Sequence, residues 1–248
     1  MYVRPIGLQY HRFLRRLHRA CLFDWYLEIG CRTGDSFAPV RSKTLAVDPF
    51  FRAEINIIGT KPALHVFQET SDDFFAGGFI ARNGIRLGLA FLDGMHLFEF
   101  LLRDFINTEA AMDPNGVILM HDCVPYSLGM TTRDLQNLPR GAWTGDVWKL
   151  IPILQKWRPD LRLTVLDCRP TGLVCVSGLD PENRVLRENY DAILAEFLDV
   201  DIESYGVRRF FDSFVLASGK AEQEAGFPLF RPATLPEEMA LVPRKVST

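Results

Sequence analysis

The chain has 248 residues, 48% hydrophobic and 24% charged, with a formal net charge of −3. This is an ordinary globular composition, and the length fits one α/β domain with extensions better than two full domains. No apolar run reaches the roughly 18 residues that a membrane span needs, and the acidic balance disfavours a nucleic-acid substrate.

The N-terminus, "MYVRPIGLQYHRFLRRLHRACLF", is basic but lacks the continuous apolar core of a secretory signal. It reads as an amphipathic helix, with Phe13, Leu14, Leu17 and Cys21 on one face and Arg12, Arg15, Arg16 and Arg19 largely elsewhere. A solvated helix face packed beside the first strand explains those arginines more simply than a nucleic-acid or membrane surface does. Strand signals then follow at Trp25–Gly30, Thr44–Phe50, Ala63–Ser71, Arg86–Gly94 and Asn115–Cys123. Two more, Leu161–Asp167 and Gly172–Gly178, are joined by a Pro-Thr-Gly turn. Near-continuous apolar runs of this length suit strands buried on both faces.

Helices are expected at Leu97–Met112, at Asp146–Pro159 and at Pro181–Asp199. The first carries Leu97, Leu101, Phe105 and Ile106 on one stripe, with Glu99 and Arg103 spaced for an i,i+4 pair. The second contains Pro152, which predicts a kink or early break. Alternation of strands and helices predicts a doubly wound α/β fold, a Rossmann-like sheet with helices on both faces. It is mostly parallel with an antiparallel last strand, because the last two strands are too close for a crossover helix and should pair at one edge. The expected organisation is an N-terminal helical extension over 1–23, a core domain over 24–180, a C-terminal helical region over 181–217 and an irregular tail over 218–248. The five cysteines, Cys21, Cys31, Cys123, Cys168 and Cys175, are odd in number and lack C-x-x-C spacing. They read as reduced thiols of a cytoplasmic protein, without a disulfide framework or zinc site.

Ligands of an open α/β sheet bind outside the carboxyl ends of its strands. The residues at those ends are Glu28 to Gly34, Asp48, Ser71-Asp72-Asp73, Asp93 and His121-Asp122. Such a rim repels a pyrophosphate and attracts a cation. The turn "EIGCRTG" fails the dinucleotide pattern, which needs glycine at position 28, and it lacks the Gly-Lys-Ser/Thr of a P-loop. Asp48 lies about 20 residues beyond the turn, where an acid can accept both ribose hydroxyls of a nucleoside.

Glu28-x-Gly30-x-x-x-Gly34 followed by Asp48 resembles motifs I and II of the class I S-adenosylmethionine-dependent methyltransferases. "ETSDDFF", "FLDGMHLFEFLLRDF" and "NGVILMHDC" extend the resemblance toward the branch called methyltransferase family 24, more distantly toward catechol-type O-methyltransferases. It covers roughly Asp24 to Gly178. It implies S-adenosylmethionine as cofactor and S-adenosylhomocysteine as product. Gly30 would make the tight turn beside Cys31, and Gly34 would let the backbone approach the methionyl group. Glu28 would hold the turn and meet the ammonium end. Asp48 would take the ribose hydroxyls, Ser71 and Asp72 would sit near the adenine, and Asp93 would face the methionyl amine or the reaction centre.

Three residues are the catalytic candidates. His96 stands three residues beyond Asp93, where the catechol-type enzymes carry a catalytic lysine, and a neutral imidazole suits a general base. His121 and Asp122 end the fifth strand. The resemblance implies magnesium ligands at the positions of Asp93 and Asp122, but Cys123 stands where the relatives have asparagine, and a thiol is a poor ligand for a hard cation. The metal is therefore left open, with a site from Asp93, Asp122 and His121 or simple strand-end polar groups as alternatives. The loop Pro125–Arg140 and the following Gly141–Ile151 offer Trp143, Asp146, Trp148 and Lys149 to an acceptor pocket, or Trp148 to the core. His11, His18 and His65 have no constellation around them.

The leading expectation is a cytoplasmic methyltransferase acting on oxygen of a small molecule or sugar, with no nucleic-acid or membrane partner and a homo-oligomer left open. A non-catalytic methyltransferase-like binding protein is the alternative. A nicotinamide-dependent oxidoreductase is third, opposed by the failed glycine pattern.

Overall fold

The computed structural model describes residues 1–240. The seven apolar runs become β1 (Trp25–Ile29), β2 (Lys43–Val47), β3 (Leu64–Phe67), β4 (Leu87–Leu92), β5 (Met112–His121), β6 (Arg162–Leu166) and β7 (Leu173–Ser177). A two-residue strand, β8 (Leu216–Ala217), joins them in one sheet of order β3-β2-β1-β4-β5-β7-β6-β8. β3, β2, β1, β4 and β5 pair in parallel, so their carboxyl ends share one rim. β7 runs antiparallel to both β5 and β6. The expected antiparallel pair forms, but not at the edge. β7 enters the sheet interior and β8 caps β6 in parallel. The burial pattern gives the reason: four of the five residues of β7 are fully buried, whereas β6 begins with an exposed arginine and two half-buried residues. The more apolar strand takes the position with neighbours on both sides.

Helix α1 (Tyr10–Ala20) precedes the sheet. After β3 come α2 (Ser71–Ala76) and α3 (Phe79–Arg82), and α4 (Phe98–Glu109) joins β4 to β5. Between β5 and β6 lies α5 (Leu150–Trp157). Four short helices follow β7: α6 (Val185–Glu188), α7 (Tyr190–Phe197), α8 (Ile202–Tyr205) and α9 (Val207–Asp212); α10 (Gly219–Glu224) follows β8. No helix among the described residues is long and apolar enough to cross a membrane.

Several local expectations change. The single helix over Pro181–Asp199 is two, because Asn189 adopts a non-helical conformation and its side-chain amide donates to the Val185 carbonyl, ending α6. Pro152 causes no break. The helix starts at Leu150, so Pro152 sits in the first turn, where its missing N–H costs nothing. Helix α4 stops at Glu109 and Met112 already belongs to β5. Glu99 and Arg103 do not pair. Arg103 grips Asp72 with two bonds of 2.8 and 2.7 Å, and Glu99 takes Arg133. Bidentate guanidinium–carboxylate geometry between elements outweighs a single contact along one turn.

Each face of the sheet has its own core. Leu27, Ile29, Leu45 and Val47 point to the face covered by α4 and α5, through Phe98, Leu101, Phe105 and Ile151. Tyr26, Ala46, Leu89 and Phe91 point to the other, covered by Phe13, Leu14 and Leu17 of α1 and by Phe227 and Phe230. The connection from β1 to β2 holds only turns, so α1 supplies the cover that a crossover helix would give. The arginines expected to be solvated are exposed at Arg12, Arg15 and Arg19. All five cysteines are buried free thiols.

One acid lies inside the α1-side core. Glu28 is fully buried, with Oε2 accepting the Tyr26 hydroxyl at 2.5 Å and Oε1 accepting the Ser36 hydroxyl. Burial outweighs both bonds and pushes its carboxyl up to about 7. Between the ordinary value of 4.5 and about 7 the folded chain therefore binds a proton that the unfolded chain has released. Stability contributed at this site falls as pH rises through that window, by about 3 kcal/mol at most. Glu28→Gln removes the titration and keeps the shape. Thermal unfolding should show the variant gaining on the wild type between pH 5 and pH 8, and an unchanged difference at the two pH values would contradict a buried, titrating Glu28.

Candidate functional site

The acids of the rim come together where the parallel strands end. The turn after β1 folds back sharply: Gly30, Arg32 and Gly34 all have positive φ. At Gly30 the space is closed, since a Cβ would stand 2.0 Å from the Asp93 carbonyl oxygen. Only glycine lets the first turn lie this close to the end of β4. The Gly30 N–H donates to the Val47 carbonyl, the Cys31 thiol donates to the Glu28 carbonyl, and Gly34 packs under the Ile57 side chain. Of the two roles expected for Glu28, the structure displays the holding of the turn, through Tyr26 and Ser36.

Asp48 follows β2 and is almost buried. Its Oδ2 accepts the Arg32 N–H at 2.8 Å and its Oδ1 accepts the Phe50 N–H at 2.6 Å. A carboxylate has about four acceptor sites, so each oxygen keeps one for a ligand hydroxyl. Ser71 and Asp72 open α2, which Thr70 caps by accepting the Asp73 N–H. The Asp72 carboxylate is held by Arg103, which also donates to the Tyr190 hydroxyl, so this acid fastens α2 to α4.

Asp93, His96, His121 and Asp122 form one cluster. His121 Nδ1 lies 3.2 Å from Asp93 Oδ1 and 3.4 Å from Asp122 Oδ2. His96 Nε2 lies 3.2 Å from Asp122 Oδ2 and 3.5 Å from Asp93 Oδ1. Asp122 has a φ of 60°, a conformation that aspartate tolerates better than most residues. The Thr171 hydroxyl donates to Asp122 Oδ1 at 2.6 Å and lies 3.3 Å from His121 Nε2. The Tyr10 ring stacks on His121 at 3.9 Å. Burial opposes charge on His121, but Asp122 and Asp93 overcome it and push the imidazole up to about 10. His96 is raised for the same reasons, burial being outweighed by Asp93 and Asp122. Burial would raise Asp93, yet the two histidines hold it well below the usual carboxylate range.

Asp93, His96 and Asp122 each offer one donor atom, all within 4.8 Å of one another. The donor set fits a divalent cation. Cys123 is not among these donors; its thiol is buried and donates to the His121 carbonyl. Two carboxylates and an imidazole suit manganese, iron or zinc as well as magnesium.

The loop after β5 approaches His96. Trp143 lies with its ring 5.0 Å from the imidazole, and its carbonyl accepts from His96 Nδ1 at 2.9 Å. Trp148 is wholly buried against Tyr205 and Phe210, as a core residue, and Lys149 is buried in an ion pair with Asp146. Of the histidines without an expected role, His18 is buried in the α1 core and His11 packs on Tyr10. Sequence reasoning missed Tyr10, Ser36 and Thr171. Ser36 follows the glycine turn by two residues but is no part of its pattern, whereas Tyr10 and Thr171 arrive from segments distant in the chain. Thr171→Val should destabilise the protein by about 1.5–3 kcal/mol, since it strips a charged oxygen of its buried donor. Urea unfolding measures this, and a loss below about 0.5 kcal/mol would show that Thr171 does not hold Asp122.

A family model described as a methyltransferase domain matches residues 27–123, from β1 to the end of the His121-Asp122 strand end. No curated protein sequence matches the chain. Among solved structures, cofactor-bound Rv0187 from MTB is similar at 14% identity over 72% of this chain and 82% of that one, with a TM-score of 0.50. The O-methyltransferase TomG from Streptomyces achromogenes, solved with SAM, is similar at 15% identity over 68% and 78%, with a TM-score of 0.49. An O-methyltransferase from Bacillus cereus, solved with SAH, is similar at 13% identity over 67% and 79%, also at 0.49. At 14% identity the likeness to Rv0187 is one of fold alone.

Proposed function

We propose that the chain, whose residues 27–123 match a methyltransferase domain model, transfers the methyl group of S-adenosylmethionine to an oxygen of a small molecule or sugar. The observation that carries the reading is the placement of Gly30, Asp48 and the Asp93–His96–His121–Asp122 cluster on one rim of adjacent parallel strands. A ligand bearing a sulfonium and an ammonium suits carboxylates there, as a pyrophosphate does not.

Asp48 accepts the ribose hydroxyls with its two spare acceptor sites. The turn at Gly30 lets the methionyl portion lie against the sheet. Asp93 brings negative charge to the reaction end. Methyl transfer is an in-line displacement whose reactivity belongs to the cofactor, so the protein supplies alignment and a dry site. A hydroxyl acceptor must lose its proton, and His96 takes it at Nε2 from the neutral form of the ring, in which only Nδ1 carries a proton. Asp93 and Asp122 stabilise the imidazolium so formed, as a buried aspartate does for the histidine of a catalytic triad. His121, held between the same carboxylates and Thr171, fixes their orientation. A divalent cation on Asp93, His96 and Asp122 is the second reading, favoured by their donor spacing; bound there, it would supply Lewis acidity toward the acceptor oxygen.

Calorimetric titration with S-adenosylmethionine, S-adenosylhomocysteine and NAD tests the cofactor. Both adenosyl ligands should bind and NAD should not, and Asp48→Ala should weaken the adenosyl ligands by about 10-fold or more. Absence of adenosyl binding to the wild-type protein would sink the proposal. A screen of hydroxylated acceptors then follows, with and without chelator. His96→Gln should lower turnover by roughly 10²-fold at unchanged cofactor affinity. Turnover that survives the substitution removes His96 as base, and turnover that survives exhaustive chelation removes the cation.

A further inference from the structure

The segment that precedes α5 does more than cover the rim: it grips His96 from both sides. The His96 ring donates from Nδ1 to the Trp143 carbonyl, and the His96 carbonyl accepts the Asp146 N–H at 3.2 Å. Gly145 lies against that same carbonyl so closely that a Cβ would stand 1.6 Å from its oxygen. Two residues beyond His96, the Phe98 N–H at the start of α4 donates to Asp146 Oδ1 at 2.9 Å. Asp146 therefore holds the chain before and after Leu97, once through its backbone and once through its carboxylate.

Asp146 is itself fixed. Its Oδ2 accepts Arg133 Nη1 at 2.6 Å and Lys149 Nζ at 2.7 Å, with the carboxylate and the lysine both almost fully buried. Arg133 continues to Glu99 on α4 at 2.7 Å, and Lys149 also donates to the Leu198 carbonyl at 3.3 Å. The Trp143 indole N–H donates to the Thr132 carbonyl at 2.9 Å, so the carbonyl that meets His96 is anchored to the same loop. A buried acid satisfied by two cations and one backbone N–H has little freedom to move.

We propose that Asp146 is the positioning residue for His96: it clamps the Trp143–Asp146 segment so that Nδ1 stays protonated against the Trp143 carbonyl and Nε2 stays aimed at Asp93 and Asp122. The second nitrogen of a working imidazole is commonly set by such a bond to a backbone carbonyl. The proposal rests on the methyltransferase reading for the purpose of the clamp, but not for its existence.

The test uses the full chain with 15N-labelled histidine. His96→Gln assigns the His96 ring signals by their loss. In the wild type, the Nδ1–H proton should be visible and protected from exchange with water. In Asp146→Asn it should exchange about 10-fold faster or more, while backbone amides of β4 keep their protection. Affinity for S-adenosylhomocysteine should stay within about 3-fold of the wild type. Should Asp146→Asn fail to fold, Arg133→Met removes one of the two cations from the partly exposed side and should speed exchange in the same direction, with Arg133→Lys restoring part of the protection. Unchanged exchange in the variants overturns the proposal, and so does an equal acceleration of the β4 amides, which would reduce Asp146 to general stability. A wild type that binds no S-adenosylhomocysteine defeats the methyltransferase reading, and the exchange result still judges the clamp.

Discussion

Two carboxylates at the ends of adjacent parallel strands share two imidazoles, and most of the rim is arranged around that fact. Asp93 and Asp122 lie where β4 and β5 stop, close enough that His96 and His121 each reach both. Left alone, like charges this near one another in a buried place would force one acid to stay protonated. The histidines remove the conflict. They also tie the cluster's charge to its geometry, because any displacement of one ring exposes two acids to each other.

The surroundings supply what the cluster needs to hold its shape. Tyr10 brings the start of α1 onto His121. Thr171, in the turn between β6 and β7, fills the remaining side of Asp122. The loop before α5 closes over His96. Three segments far apart in the chain thus meet on one pair of strand ends, and the placement of β7 beside β5 is what delivers Thr171. The same logic extends outward. Asp72 is spent on Arg103 to join α2 to α4, and Glu28 is spent inside the first turn on Tyr26 and Ser36. Acids that look alike in the sequence divide into those clustered with histidines at the strand ends and those that hold the frame.

That division explains how far the reading from residues alone could go. The order Glu28, Gly30, Gly34, Asp48, Asp93, His121-Asp122 was enough to place a glycine turn and acids at strand ends, because apolar runs of strand length end where those residues stand. The parallel sense of most of the sheet followed from the same alternation. The i,i+4 spacing of Glu99 and Arg103 was misleading, since each had a better partner on another element. The helix over 181–199 was likewise overdrawn, because periodicity does not register an asparagine side chain that bonds back to its own turn.

The sequence by itself determined the alternating pattern, the strand ends and the kinds of groups gathered there. These are local properties: burial on both faces demands continuous apolar runs, and a sharp turn against a neighbouring carbonyl demands glycine. Tertiary structure decided which acids are free. A carboxylate's role depends on whether a guanidinium, an imidazole or a hydroxyl arrives beside it, and those partners include Tyr26, Ser36, Arg103, Arg133, Thr171, His96 and His121. Their distances in sequence carry no periodic signal. Only the packing of the whole chain, with β7 inside the sheet and the loop before α5 folded back on β4, brings them into contact.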